Sequence, residues 1–251
     1  MATASAGQTE SYRVDGLGQG TKYYFAIKAR DESGRYSNLS NNTTATTLLD
    51  VPYLSQGGQP WENPEQWAFD YYLNGNNYMK DKGCSLTSLA MIINYYAVYH
   101  PDKNMRDKIN GKIATEFEGG ILDPHTLNKY IVEKGGKYYN AETHDFDFQI
   151  IDQITDGAVV YWGPSPCSMD VLLNVDLAVK RSNILRVKDS THSVVLIGYR
   201  DSSGFIINNP GRIGSKTLDR YGYTYQSIRE FREWNGSEAP HYITFKGFTK
   251  W

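Results

Sequence analysis

Between Lys82 and Tyr99 the chain has no polar face to offer water. Leu86, Leu89, Ala90, Ile93 and Ala97 recur at helical spacing, and Met91, Ile92, Tyr96 and Val98 fill most of the remaining circumference. A helix that is apolar nearly all round is a buried one, so this stretch predicts the central helix of the fold. Its first residue is Cys84, preceded by Gly83. A second pattern lies between Ser190 and Pro210, where two apolar runs flank Asp201-Ser-Ser-Gly204 and predict a β-hairpin. Pro210 stops its second strand.

The remaining elements follow from weaker patterns. Asn104 to Phe117 and His125 to Lys134 predict helices, with Leu122-Asp-Pro124 a turn before the second. Gln149 to Ile154 predicts a short helix ending at Asp156-Gly157, and Ala158 to Trp162 a buried strand. Ser227 to Trp234 reads as a helix and Tyr242 to Phe245 as a last strand. Near the amino end, Ser11 to Val14 reads as a short strand and Asp15 to Thr21 as a Gly-rich turn. Lys22 to Arg30 alternates, with Tyr23, Phe25, Ile27 and Ala29 on one face, and predicts a half-buried strand. After a turn at Asp31 to Arg35, the Thr-rich Asn42 to Leu48 closes this region as another strand. The fold class expected is α/β in the α+β sense.

Composition narrows the function. Lys plus Arg number 26 against 28 Asp plus Glu, a formal net charge of −2 in 251 residues. No basic stretch could lead a nucleic-acid or anionic-membrane surface, so neither partner is expected. The longest apolar runs, such as Val194 to Ile197, are far too short to span a bilayer. The opening Met-Ala-Thr-Ala-Ser-Ala-Gly has neither a basic n-region nor an apolar h-region. The chain is therefore expected to be intracellular or a piece of a longer protein. Two cysteines, Cys84 and Cys167, make no disulfide framework of the small secreted kind. The 20 tyrosines suit β-rich structure or an aromatic-lined surface.

The chemistry starts at Cys84. A thiol at a helix start meets unpaired backbone N–H groups and the positive end of the helix dipole, and both favour thiolate. On this stretch alone, a buried cysteine acting as a small hydrophobe explains the residue equally well. The hairpin adds His192 at the start of its first strand and Asn209 at the end of its second, at the same open end. Pairing Arg200 with Phe205 sets Asn209 opposite Leu196, on the same face as His192, with Asn208 pointing away. The axial offset of four residues is then ~13 Å, so strand twist or a bulge must close it. A thiolate needs an imidazole to hold the ion pair and protonate the leaving amine, and a third group to fix the ring's tautomer. The candidates for the oxyanion donor are the backbone N–H of Cys84 and the side-chain amide of Gln56.

Two resemblances attach to these residues. Leu17-Gly-Gln-Gly-Thr-Lys-Tyr23, with Phe25, Ile27, Ala29-Arg-Asp-Glu-Ser-Gly34 and Ser37, resembles the second half of a fibronectin type III domain, Tyr23 standing at the tyrosine-corner position. That implies a partial β-sandwich over residues 1–47, the tail of an upstream domain, open to strand exchange or docking. Val51-Pro-Tyr-Leu-Ser-Gln56, Gly83-Cys-Ser-Leu-Thr-Ser-Leu-Ala-Met91, His192-Ser-Val-Val-Leu-Ile-Gly198-Tyr and Ile207-Asn-Asn-Pro210 resemble a papain-like family, the soluble relatives of the double-glycine leader peptidases. The resemblance implies a two-lobed papain-like cysteine peptidase domain over residues 48–251, with Gln56 as oxyanion glutamine, Cys84 as nucleophile and His192 as base. That family usually carries Asp where this chain has Asn209, whereas papain itself uses Asn. Membrane spans and a nucleotide-binding domain beside the exporter peptidases are lacking here, so their leader-peptide substrate is not carried over. The expectation is a peptidase acting on a peptide or protein, extracellular or at a cell surface within a longer bacterial protein.

Other readings of the same residues are plainer. His100, His125, His144 and His241 are expected to be structural or surface residues. Asp145, Asp147, Asp152 and Asp156 read as a solvated, turn-capping set, and Cys167 as a bystander. The aromatic loop from Trp61 to Tyr78 is expected mainly to pack. No cluster has metal-ligand spacing, and there is no Gly-x-Ser-x-Gly elbow or phosphate-cradling loop, so no cofactor or metal is expected. Two rivals to the peptidase stay open: a non-catalytic binding or adhesion module on the same scaffold, and a thiol amidase or acyltransferase with the same triad.

Overall fold

A computed structural model describes residues 11–57, 83–134, 139–140, 145–146, 148–165, 180, 182–187, 192–200, 204–211, 215–217 and 225–233. Trp61 to Tyr78, His144, Asp147, Cys167, Trp234, His241 and the strand expected over Tyr242 to Phe245 lie outside the described residues.

The central helix, α1, spans Cys84–Tyr99. Every residue from Cys84 to Ile93 is buried, as are Tyr95, Tyr96 and Ala97, as an all-round apolar surface requires. Helix α2 (Lys103–Glu116) packs Ile109 and Ile113 against it, and α3 (Pro124–Glu133) contributes Leu127, Tyr130 and Ile131 to the same core. Asp102 caps α2 by accepting the Asn104 amide hydrogen at 2.8 Å. Phe117 stacks on Tyr130 with centroids 4.9 Å apart. Asn94, the half-buried polar residue on α1, donates to the carbonyls of Ala90 (2.9 Å) and Leu122 (2.7 Å), so its amide is satisfied within the core. A short helix, α4 (Ile150–Ile154), precedes the sheet.

The second layer is a six-stranded antiparallel sheet in the order β5-β10-β6-β7-β8-β9. Its strands are β5 (Val159–Ser165), β6 (Ile184–Val187), β7 (His192–Arg200), β8 (Gly204–Asn208), β9 (Ser215–Thr217) and β10 (Tyr225–Glu233). Two small two-stranded ladders stand apart from it: β1 (Lys22–Phe25) with β2 (Thr43–Thr46), and β3 (Tyr139–Asn140) with β4 (Asp145–Phe146). This mixed α/β arrangement, a helical half carrying Cys84 and a β half carrying His192, is a papain-like peptidase fold.

Four expectations need correction. The helix expected from Ser227 is strand β10, which inserts between β5 and β6 and is antiparallel to both. Ile228 and Phe231 are three apart and fit a helical stripe locally. Hydrogen bonding to two neighbours outweighs that weak preference, because strand propensity depends on context. Ser11 to Val14 is not a strand, since nothing among the described residues pairs with it, and the strand read over Lys22 to Arg30 ends at Phe25.

The fourth correction is the hairpin register. Arg200 pairs with Gly204 and Tyr199 with Phe205, and the register then shifts between Leu196 and Gly198 so that Leu196 pairs with Ile207 and Val195 with Asn208. Ile197 is the bulged residue, and its carbonyl accepts from the Leu49 amide at 2.7 Å. Residues 48–57 thus run alongside β7 and β8. A side chain on Gly198 would collide with them, since an added Cβ would lie 2.6 Å from Leu48 Cδ2.

At the amino end, Tyr23 and Phe25 are half-buried on one face of β1 while Tyr24 is exposed on the other. The Tyr23 hydroxyl accepts the Gly18 amide at 2.7 Å, reaching back five residues along the chain. Gln19 and Gly20 hold this hairpin to the linker, through Asp50 N–H to Gln19 Oε1 (2.8 Å) and Gly20 N–H to Leu48 O (3.2 Å).

Candidate functional site

Cys84 opens α1 and is 8% exposed. Gly83 at the N-cap supplies no side-chain acceptor, so no capping hydroxyl or carboxylate competes for the first amides of the helix. The Thr87 amide takes the Gly83 carbonyl at 2.9 Å, which begins the helical ladder directly behind the thiol.

His192 is half-buried at the first position of β7, and its Nε2 lies 2.9 Å from Asn209 Oδ1. The bulge is what makes this contact possible. Continuing the ladder beyond Val195–Asn208 sets Asn209 level with Val194, two residues from His192 rather than four. That cuts the axial offset from ~13 Å to ~7 Å. Two one-residue slips separate the observed register from the expected one, and a shift of two preserves the face. Asn209 therefore still shares a side with His192, while Asn208 turns away and donates to Val51 O at 3.0 Å.

The orientation of the Asn209 amide follows from its second neighbour. The Gly211 N–H donates to the same Oδ1 at 3.0 Å. An amide nitrogen could not accept that hydrogen, so the atom facing both groups is the oxygen. His192 Nε2 must then be the protonated nitrogen, which leaves the Nδ1 lone pair as the base of the neutral ring.

Gln56 reaches this group by a local anchor. Its backbone N–H donates to Pro210 O at 2.9 Å, and the Ser55 hydroxyl donates to the same oxygen at 3.4 Å. The Gln56 side chain is 6% exposed. Gly211 marks where the three side chains converge: a Cβ built there would lie 3.5 Å from Asn209 Oδ1, 3.5 Å from His192 Cε1 and 3.7 Å from Gln56 Oε1. These are ordinary contact distances around one point, and Gly211 itself is exposed beside the buried Gln56 and Asn209.

The start of α1, where Cys84 sits, meets the start of β7 across a polar seam. Ser85 Oγ lies 2.9 Å from Ser193 Oγ, and the two serines directly follow Cys84 and His192 in the chain. Gly211, Ser85 and Ser193 were not singled out from the sequence. Their only signal there is adjacency to Asn209-Pro210, Cys84 and His192.

Two other histidines lie among the described residues. His100 is buried at the end of α1, its Nε2 3.1 Å from Ala158 O and its Nδ1 accepting from the Asp102 amide at 3.1 Å, a structural bridge from helix to sheet. His125 lies on α3. Asp152 accepts from the Tyr161 amide at 2.9 Å, and Asp156 pairs with Lys108 at 2.9 Å. Asp156 lies in the turn before β5, as expected of a turn-capping residue, whereas Asp152 is half-buried on α4 and ties that helix to β5. The Lys108 ammonium holds the Asp156 carboxyl below its ordinary range.

Comparison with curated proteins and with solved structures returns no match. Comparison with family models matches residues 48–238, a stretch that contains all four candidate residues. The family it matches is the Peptidase_C39 like family, to which this chain belongs, and which makes it a cysteine peptidase by kinship.

Proposed function

We propose that the protein hydrolyses peptide bonds through Cys84, His192, Asn209 and Gln56. The observation that carries this reading is the 2.9 Å contact of His192 Nε2 with Asn209 Oδ1, oriented by the Gly211 amide. With Nε2 protonated, Nδ1 takes the proton of the Cys84 thiol to give a thiolate–imidazolium pair. The thiolate attacks the scissile carbonyl carbon, and the carbonyl electron pair moves to oxygen. That oxyanion is met by the Cys84 backbone N–H at the helix start and by the Gln56 side-chain amide. Collapse expels the amine, which leaves with the imidazolium proton. Water, deprotonated by the neutral ring, then hydrolyses the thioester and regenerates the thiol. Asn209 acts by holding the ring in one tautomer and orientation.

Residues 1–47 are read as the carboxyl-terminal half of a fibronectin type III domain, ahead of the peptidase domain that starts at Leu48. The Tyr23 hydroxyl bonded back to Gly18 N supports this, since a tyrosine corner makes that kind of contact.

The test is hydrolysis of a fluorogenic peptide library by Cys84→Ala and His192→Ala. Each variant is expected to lose turnover while melting within a few degrees of the parent. Full activity in either would end the proposal.

A further inference from the structure

The seam between α1 and β7 holds a polar contact where an apolar one would serve packing as well. Ser85 is 5% exposed and Ser193 fully buried, and their hydroxyl oxygens lie 2.9 Å apart. One helical turn on, the Ser88 hydroxyl donates to the Ser193 carbonyl at 3.4 Å. Ser193 is thus tied to α1 by both its side chain and its backbone, from two residues on one face of the helix. Its own strand is fixed within the sheet by pairing with Arg186 of β6. Burying two hydroxyls costs solvation that only a well-formed bond returns, whereas apolar side chains would fill the seam without that demand. What the bond adds is a fixed length and direction, because apolar packing sets neither so tightly.

We infer that Ser85 and Ser193 are positioning residues that set the separation of Cys84 from His192. The inference rests on the proposed function of that pair. Ser85 follows Cys84 and Ser193 follows His192, so a hydroxyl bond across the seam fixes the helix start against the strand start one residue from each reacting atom. The two residues lie 108 positions apart, and no local preference could hold that distance. A thiolate–imidazolium pair is sensitive to it: a misplacement of ~1 Å costs about 100-fold in rate.

The experiment measures the pH–rate profile of Cys84 alkylation by iodoacetamide, resolved at the Cys84 peptide by mass spectrometry, together with melting temperature. The proteins are the full chain, Ser85→Ala, Ser193→Ala and the double variant. Each single variant is expected to melt lower, because it takes from a buried hydroxyl its partner across the seam. The double variant is expected to recover most of that loss, since replacing both partners is close to neutral. Alkylation should not recover with it. The rate near pH 6 is expected to stay 10- to 100-fold below the parent in all three variants, with the profile moving toward that of an ordinary thiol, near pH 8.5. A double variant that regains both stability and the parental profile overturns the inference and leaves the serines as packing. If the double variant does not fold, Ser85→Ala measured well below its melting temperature decides in the same way. A parent protein whose Cys84 itself reacts like an ordinary thiol removes the ion pair, and this inference falls with it.

Discussion

Replacing Asn209 by Asp places a full negative charge 2.9 Å from His192 Nε2 without changing the shape of the side chain. With charge centres ~4 Å apart and an effective dielectric constant of ~20, the attraction is about 4 kcal/mol, equivalent to ~3 pH units. Two features of the site reduce it. His192 is only half-buried, so solvent screens the pair, and the Gly211 amide already shares the accepting oxygen. A shift of ~1 to 2 units is therefore expected. The sign follows from which form gains a partner: the imidazolium does, so the ion pair survives to higher pH before losing its proton. The alkaline limb of kcat/KM should move upward in Asn209→Asp, with the acid limb, governed by the thiol, moving less. Asn209→Ala is the control. It removes the acceptor shared by His192 and Gly211, and is expected to lower kcat/KM by ~10- to 100-fold, the equivalent of one or two buried hydrogen bonds. Both profiles are read from initial rates across pH on one peptide substrate. If neither substitution changes the profile, the contact between Asn209 and His192 does not operate in solution, and the bulged register has no catalytic consequence.

Three further outcomes are expected. Gln56→Ala should lower kcat by ~10² to 10³ with KM nearly unchanged, as for the loss of one oxyanion donor, and a loss lying wholly in KM would make Gln56 a substrate-binding residue. Deleting residues 1–47 should leave turnover intact, because β1 and β2 are largely exposed and Leu49 keeps its bond to Ile197. The Gln19 and Gly20 contacts to the linker are lost, so a melting point lower by a few degrees is expected, and failure to fold would show that this hairpin supports the sheet. Glu116→Gln breaks the pair with Lys112, whose ammonium lies 2.5 Å from the carboxylate and holds it below its ordinary range. A depressed carboxyl stabilises above its unfolded pKa of ~4.3 and ceases to as pH falls through the folded value. Both side chains are about 30% exposed, so the cost at pH 7 is only ~0.3 to 0.5 kcal/mol, about 1 to 2 °C, and should vanish in acid. A difference that persists at pH 2 would mean that Glu116 acts by packing.

Where the information is local, the sequence by itself was enough. The all-round apolar surface of Leu86 to Ala97 demanded a buried helix, and α1 begins at Cys84 as that pattern required. Two apolar runs around Asp201-Ser-Ser-Gly204 demanded a hairpin, and they form β7 and β8 with His192 and Asn209 at one end. Four motifs in order pointed to the cysteine peptidase family that the match over residues 48–238 identifies. What depended on distant partners was not legible. Ser227 to Glu233 is a strand because β5 and β6 flank it, a condition that its own residues do not encode. Ser11 to Val14 is not one, because nothing among the described residues pairs with it. The register of β7 and β8 turns on Ile197, whose carbonyl is taken by Leu49 from nearly 150 residues earlier in the chain. That distant hydrogen bond falls at the bulge, and the turn and the bulge together bring Asn209 two residues closer to His192. The Ser85–Ser193 contact and the convergence on Gly211 are of the same kind. Hydrophobic period is a property of neighbouring residues and can be read along the chain. Side-chain separation across a seam is a property of the packed whole, and only the tertiary structure decides it.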